Sequence, residues 1–253
     1  MFKKAIVRKP CPEMIHGITS ASLGVPDHSL ALNQHDRYIQ TLQSLGLEVT
    51  VLESDSRFPD STFVEDVALC TPPMAVITNP GAASRNGERK DMERVLKSFY
   101  PQLEYIEAPG TLEAGDVMMC GSHYFIGISD RTNEEGAGQL IRILEQYGMT
   151  GECIVLKKLL HLKSGVSYLE NGTLLAGKVL FDHPAFEDFQ KIEVADDEAY
   201  AANSLWMNGT VLVPAGFPKT LNRIEKAGFT TITLDVSEFE KLDGGMSCLS
   251  LRF

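Results

Sequence analysis

The residues able to do chemistry in this 253-residue chain are one late cysteine, one histidine and a scattered set of carboxylates. Cys248 lies in "DGGMSCLSLRF", after two glycines and before a strand-like run. His161 lies in "LHLKSG". Glu113 and Asp116 lie in "LEAGD"; Asp60, Glu65 and Asp66 lie in "PDSTFVED". A thiolate is a strong nucleophile once its pKa is lowered or a base takes its proton. Histidine moves protons both ways near neutral pH. Carboxylates around a thiolate oppose its ionisation unless a cation joins them. The set therefore makes best sense with a cationic substrate. A guanidinium fits, because carboxylates can grip its planar N–H fork. Arg85 in "GAASR" and Arg131 in "ISDR" would hold a carboxylate at the other end of the same ligand. The pattern reads as a site for an amino acid with a guanidino side chain. Taken singly, each residue also has a structural reading. Buried thiols are common core residues, Asp116 after Gly115 suits a tight turn, and the arginines could be surface charges. His16, His28, His35, His123 and His183 read as structural or surface residues.

These groups are far apart in sequence, so a repeated element must gather them. Turn signals flanked by strand-like runs recur at "TPP" (71–73), "GS" (121–122), "NG" (171–172) and "NG" (208–209), and Asn-Gly is a strong hairpin signal. The first strands are expected in "STFVEDVALC", "EAGDVMMC", "SGVSYLE" and "ANSLWM". The second are expected in "MAVITN", "HYFIGIS", "TLLAG" and "TVLVPAG". A helix follows in "GERKDMERVLKSFY", with Met92, Val95, Leu96 and Phe99 on one face. Another follows in "EGAGQLIRILEQYG", with Leu140, Ile141, Leu144 and Tyr147, and a shorter one in "PKTLNRIEKAG". The segment "DHPAFEDF" leads to a turn or two at most. Third strands close each unit in "LEYIEA", "CIVLK", "KIEV" and "TTITLD".

That makes four β-β-α-β units. The ends supply a fifth: "MSCLSLRF" and "FKKAIVRKP" as its paired strands, "HSLALNQHDRYIQTLQSLG" as its helix and "EVTVLE" as its third strand. The expected fold is α/β, a five-fold pseudo-symmetric ring of these units closed by pairing of the terminal strands, in one domain over 1–253. An open α/β sheet without symmetry is the alternative. At equivalent positions of the repeat stand Asp60, Glu65 and Asp66; Glu113 and Asp116; His161; Tyr200 and Asn203; and Cys248.

Composition narrows the partners. The net charge of -11 argues against nucleic acid and anionic membrane. No run approaches a membrane span, and the first residues do not read as a signal peptide. Five scattered cysteines without a CxxC argue against a disulfide framework and a structural zinc site. The reading is a reduced, cytoplasmic protein.

The ordered motifs "FPDSTFVEDVALC", "PGAASR", "EAPGTLEAGDVMMCG", "RTNEEGA", "LHLKSGVSYLE", "YAANSLWMN" and "DGGMSCLSLRF" resemble the dimethylarginine dimethylaminohydrolases, within the guanidino-modifying (pentein) superfamily. The resemblance spans nearly the whole chain and is nearest the short bacterial members. It implies an α/β propeller with no metal or organic cofactor. It implies Cys248 as nucleophile, His161 as general acid/base, and Glu113 contacting both His161 and the guanidinium. Asp66 would grip the guanidinium, and Asp60, Glu65 and Phe63 would line the substrate wall. Arg85 and Arg131 would pair with the substrate carboxylate, and the backbone at Ile18 would belong to a lid loop. The implied reaction converts Nω-methylated arginine to citrulline and a methylamine. Bacterial relatives are often dimers, which allows a homodimer. Other guanidine enzymes of this scaffold remain alternatives: arginine deiminase, agmatine deiminase and amidinotransferase. The two arginines speak against agmatine, which has no carboxylate, and the length leaves no room for the extra helical domain of arginine deiminases. A non-catalytic binding module would have no use for the Cys/His/acid set.

Overall fold

The computed structural model describes residues 1–253. It contains five separate three-stranded sheets, none closed on itself. The elements are β1 (Lys4–Arg8), α1 (His28–Ser44), β2 (Glu48–Leu52), β3 (Ala68–Cys70), β4 (Ala75–Ile77), α2 (Arg89–Leu96) and β5 (Leu103–Tyr105). There follow β6 (Val117–Cys120), β7 (His123–Ile128), α3 (Glu134–Gln146), β8 (Thr150–Val155), β9 (Val166–Tyr168), β10 (Thr173–Gly177), α4 (Lys178–Phe181) and β11 (Gln190–Val194). The last are β12 (Leu205–Met207), β13 (Thr210–Pro214), α5 (Pro218–Lys226), β14 (Thr230–Leu234), α6 (Ser237–Glu240) and β15 (Leu251–Arg252). In every sheet the middle strand runs antiparallel to one neighbour and parallel to the other. The hairpins explain the antiparallel half. Asn208 and Gly209 both take positive φ, 48° and 96°, the pair of angles a two-residue hairpin turn demands. Crossover helices explain the parallel half. The terminal strands pair as expected, Ala5 with Arg252 and Ile6 with Leu251.

The chain forms two compact units. Residues 1–63 and 164–252 hold the sheets β15-β1-β2, β9-β10-β11 and β12-β13-β14. One core of this unit gathers Met14, Tyr38, Leu42, Phe239 and Leu249; a second gathers Leu175, Val211, Val213 and Ile224. Residues 64–163 hold β3-β4-β5 and β6-β7-β8 around Met74, Val76, Tyr124, Ile126 and Leu140.

The helices obey their apolar spacing. α1 is capped by the Asp27 carboxylate, which accepts from the Leu30 N–H at 3.0 Å, and it buries Ala31, His35, Tyr38, Ile39 and Leu42. α2 buries Met92 and Leu96. In α3 the buried face is Leu140, Ile143 and Leu144, while the expected Ile141 is only half-buried. No helix is long and apolar enough to cross a membrane.

The first strands differ from expectation. Each is short and is preceded by 3-10 helix: Val64–Val67, Ala114–Asp116, Leu162–Ser164, Asp196–Ala202 and Ser247–Leu249. The runs "STFVEDVALC" and "EAGDVMMC" are strand only over their last three or four residues. The cause is the backbone's need for partners. In three of these segments bonds of i to i+3 type close the chain on itself where no strand lies alongside. Asp116 N–H donates to the Glu113 carbonyl at 2.9 Å, Asn203 N–H to that of Tyr200 at 3.2 Å, and Cys248 N–H to that of Gly245 at 3.2 Å. The chemically capable residues sit on or beside these turns, so one recurring local structure presents them.

Candidate active site

Within residues 64–163 the turns build a buried charged cluster. His161 Nε2 lies 2.9 Å from Glu113 Oε2. The other Glu113 oxygen accepts from the Ala82 N–H at 2.9 Å and lies 3.5 Å from Arg131 NH1. Asp66 accepts from the Gly115 N–H at 3.2 Å and pairs with Arg85 NH1 at 2.5 Å. Glu88 grips the same guanidinium through Nε at 3.0 Å and NH2 at 2.8 Å. Asp116 lies behind His161: its carboxylate accepts from the Leu162 N–H at 2.9 Å and from the Ser129 and Thr132 hydroxyls, each at 2.7 Å. Glu65 pairs with Lys163 at 2.6 Å. Gly115 has to be glycine, since a Cβ there would stand 2.7 Å from His161 Nδ1 and 2.8 Å from Asp66 Oδ1.

The electrostatics follow from this crowding. Burial by itself would drive the imidazolium of His161 toward neutrality; the charges of Asp66, Glu113 and Asp116 overcome it and hold the pKa up at about 9. For Glu113 burial opposes ionisation, and the His161 contact, the Ala82 N–H and Arg85 outweigh it, so its pKa is lowered. Burial pushes the Asp116 carboxyl up, against the pull of His161 and its hydrogen bonds. Arg85 is buried too, yet Glu88 and Asp66 keep it firmly charged. At neutral pH His161 is thus a cationic proton donor held by carboxylates.

Within the other unit, Cys248 is buried on the turn Ser247–Leu249. Its Sγ accepts from the Gly245 N–H at 3.3 Å, a partial positive charge where a thiolate needs one. Two glycines are required before it. A Cβ on Gly244 would strike the Phe63 ring at 2.1 Å, and one on Gly245 would strike the Asn203 amide at 2.4 Å. Asp60 is buried and accepts from the Ile18 N–H at 3.0 Å. Ile18 opens an exposed stretch with Leu23 and Val25.

The structure therefore brings together Asp66, Arg85, Glu113, Arg131 and His161 in one unit, with Glu65 beside Lys163. It brings Ile18 to Asp60, and Phe63 to the glycines before Cys248, in the other. Arg85 and Arg131 are not surface charges: both face buried carboxylates. Sequence reasoning missed Glu88 and Lys163. The signal for Glu88 was its place three residues after Arg85; that for Lys163 was its place two after His161. Asp66, Glu113 and His161 each offer a ligating atom within 4.8 Å of the others, so they are the donors that could hold a metal. A divalent ion there would have to displace the His161 proton and compete with Arg85 and Arg131.

The N(G),N(G)-dimethylarginine dimethylaminohydrolase of Pseudomonas aeruginosa is 51% identical over 254 residues, covering 100% of both chains. The chain belongs to the dimethylarginine dimethylaminohydrolase family. The family description "N,N dimethylarginine dimethylhydrolase, eukaryotic" matches residues 26–171. The family enzyme of Streptomyces coelicolor is 35% identical over 99% of this chain and 96% of its own. A cysteine-to-serine variant of the P. aeruginosa enzyme, solved with citrulline, superposes at a TM-score of 0.99 with 50% identity over 100% of both chains. A histidine-to-glycine variant of a dimethylarginine dimethylaminohydrolase, solved as an adduct with S-methyl-L-thiocitrulline, superposes at 0.98, again with 50% identity over both whole chains.

Proposed function

We propose that this protein hydrolyses Nω-methylated L-arginine, dimethylated or monomethylated, to L-citrulline and the corresponding methylamine. The observation that carries this reading is the buried set of Asp66, Glu113 and a protonated His161 in a chain half identical to a full-length dimethylarginine dimethylaminohydrolase. The citrulline complex and the thiocitrulline adduct of its relatives support a citrulline product and a covalent route.

In this mechanism the guanidinium enters among carboxylates, and its charge favours the Cys248 thiolate. The thiolate attacks the guanidino carbon. Asp66 and Glu113 hold the nitrogens, an entropic and electrostatic contribution. The carbon–nitrogen bond to the methylated nitrogen breaks, and His161 gives that nitrogen its proton, so dimethylamine or methylamine departs. An S-alkylthiouronium remains on Cys248. Neutral His161 then takes one proton from water, the oxygen adds to the same carbon, the carbon–sulfur bond breaks to regenerate the thiolate, the remaining water proton passes from the oxygen to solvent, and citrulline leaves. Arg85 and Arg131 serve the substrate carboxylate; Asp60, Glu65, Phe63 and the Ile18 backbone line its path. The same reading takes 1–253 as one catalytic domain, the five sheets as blades of one ring, the location as cytoplasmic and the assembly as a homodimer.

The test is citrulline release from purified protein with dimethylarginine, monomethylarginine, arginine and agmatine side by side, wild type against Cys248→Ser. Cys248-dependent turnover of the methylated substrates is expected. Turnover of arginine or agmatine in their place would move the substrate, and full activity of Cys248→Ser would overturn the mechanism.

A further inference from the structure

The four carbonyls of residues 244–247, just before Cys248, are each held by a different donor. Gly244 O accepts from the Tyr200 hydroxyl at 2.7 Å. Gly245 O accepts from the Cys248 N–H at 3.2 Å. Met246 O accepts from the Tyr38 hydroxyl at 3.1 Å, and Ser247 O from Arg252 NH1 at 2.8 Å. Asn203 adds two bonds: its Oδ1 accepts from the Ser247 N–H at 2.9 Å, and its Nδ2 donates to Ser247 Oγ at 3.2 Å. A turn with every carbonyl spoken for has little freedom to rotate a peptide.

One of these bonds reaches the sulfur. The Gly244–Gly245 peptide is trans, so its C=O and N–H point in opposite directions across one rigid plane. Tyr200 takes the C=O end; the N–H end meets Cys248 Sγ at 3.3 Å. Two glycines leave this peptide few side-chain constraints of its own, so its orientation must come from what grips it. A donor on the carbonyl also polarises the peptide and strengthens the N–H at the far end. Burial of the phenol, with the charges of Glu240 and Cys248, pushes the Tyr200 pKa up, so its hydroxyl stays a donor.

We infer that Tyr200 is a positioning residue for the nucleophile. It acts through the Gly244–Gly245 peptide, aiming and polarising the N–H that stabilises the Cys248 thiolate, with Asn203 holding the same turn from Ser247. No side chain of Tyr200 or Asn203 needs to touch substrate for this. The inference rests on Cys248 being the nucleophile of the proposed reaction, but its first readout does not use a substrate.

The experiment is alkylation of Cys248 by iodoacetamide in the full-length protein, followed by mass spectrometry of the peptide that contains it, across pH 5 to 10 (roughly the span over which thiols ionise). Tyr200→Phe keeps the ring against Phe217, 5.6 Å between centroids, and removes only the hydroxyl. Asn203→Ala removes the second grip. Asn208→Ala is the control, a hairpin asparagine with equivalent bonds to Phe2 and Leu45. Tyr200→Phe is expected to move the pH midpoint of alkylation upward and to lower kcat by about threefold to tenfold, the effect of one hydrogen bond, with KM little changed. Asn203→Ala should do the same, and Asn208→Ala should lower Tm without moving the alkylation profile. A wild-type profile in Tyr200→Phe, or an equal shift in Asn208→Ala, would overturn the inference. A shifted profile in a protein that turns over no methylarginine would sustain it and count against the proposed reaction alone.

Discussion

Replacing Glu113 with glutamine removes one charge and almost no volume from beside His161. The imidazole nitrogen stands 2.9 Å from the carboxylate, and the His161 pKa is about 9 against an ordinary 6.5. An opposite charge at such a distance raises a histidine by roughly 1 to 3 units, and each unit is about 1.4 kcal/mol. Glu113→Gln should therefore lower the His161 titration by roughly 1 to 3 units, a loss of about 1 to 4 kcal/mol of preference for the imidazolium. The sign for stability follows. His161 binds its proton more tightly folded than unfolded, so its contribution is complete below about pH 6.5 and disappears as pH rises through about 9. The lowered Glu113 pKa is the same contact seen from the carboxylate and adds nothing further. The variant should thus lose most stability against wild type near pH 6 and little near pH 9.5, roughly the two sides of that window. Long-range 1H–15N NMR of histidine-labelled protein reads the titration directly, and urea unfolding at the two pH values reads the stability. A His161 that titrates near 9 in both proteins, or near 6.5 in both, refutes the argument that Glu113 holds the proton.

Gly115→Ala should lower Tm, as overpacking a buried site costs about 1 to 3 kcal/mol, and should cut turnover about 100-fold, the scale of a small misplacement at a site. The new methyl would lie 2.7 Å from His161 Nδ1; unchanged citrulline release would show that this contact relaxes harmlessly. Asp243 has φ 57°, yet is not glycine, and its carboxylate accepts from Ser20 N–H at 2.5 Å and Ser20 Oγ at 3.0 Å. Asp243→Gly keeps the angle at no cost and removes the tether, so hydrogen exchange over residues 18–22 should quicken and KM should rise; unaltered exchange would refute the tether. His35 is buried with both ring nitrogens unpartnered and a pKa lowered to about 4, by burial first and then by Lys9. The unfolded chain then binds more protons between about pH 4 and 6.5, so stability falls by about 3 kcal/mol as pH drops through that range. His35→Leu should flatten this acid slope in urea titrations, and an unchanged slope would place the proton uptake elsewhere.

The repeat itself was legible in the chain. Asn208-Gly209 announced a hairpin because only residues tolerant of positive φ serve there, and the α3 spacing of Leu140 and Leu144 announced a buried helix face, since both are local rules of backbone and burial. The same rules placed the termini in one sheet, as β15 and β1 are. Residue types named the chemistry: a thiol, an imidazole and carboxylates that make sense together only with a cation among them. Tertiary structure decided the rest. The 3-10 turns before each first strand depend on whether a neighbouring strand is present to accept backbone bonds, which no local pattern reports. That Arg85 is gripped by Asp66 and Glu88, that Glu65 is paired with Lys163, and that His161 is cationic follow from charges brought within a few ångströms by separate turns. Coulomb energy depends on distance and burial, and sequence separation specifies neither. The chain alone determined which groups could react; the packing determined which of them carry the proton and the charge.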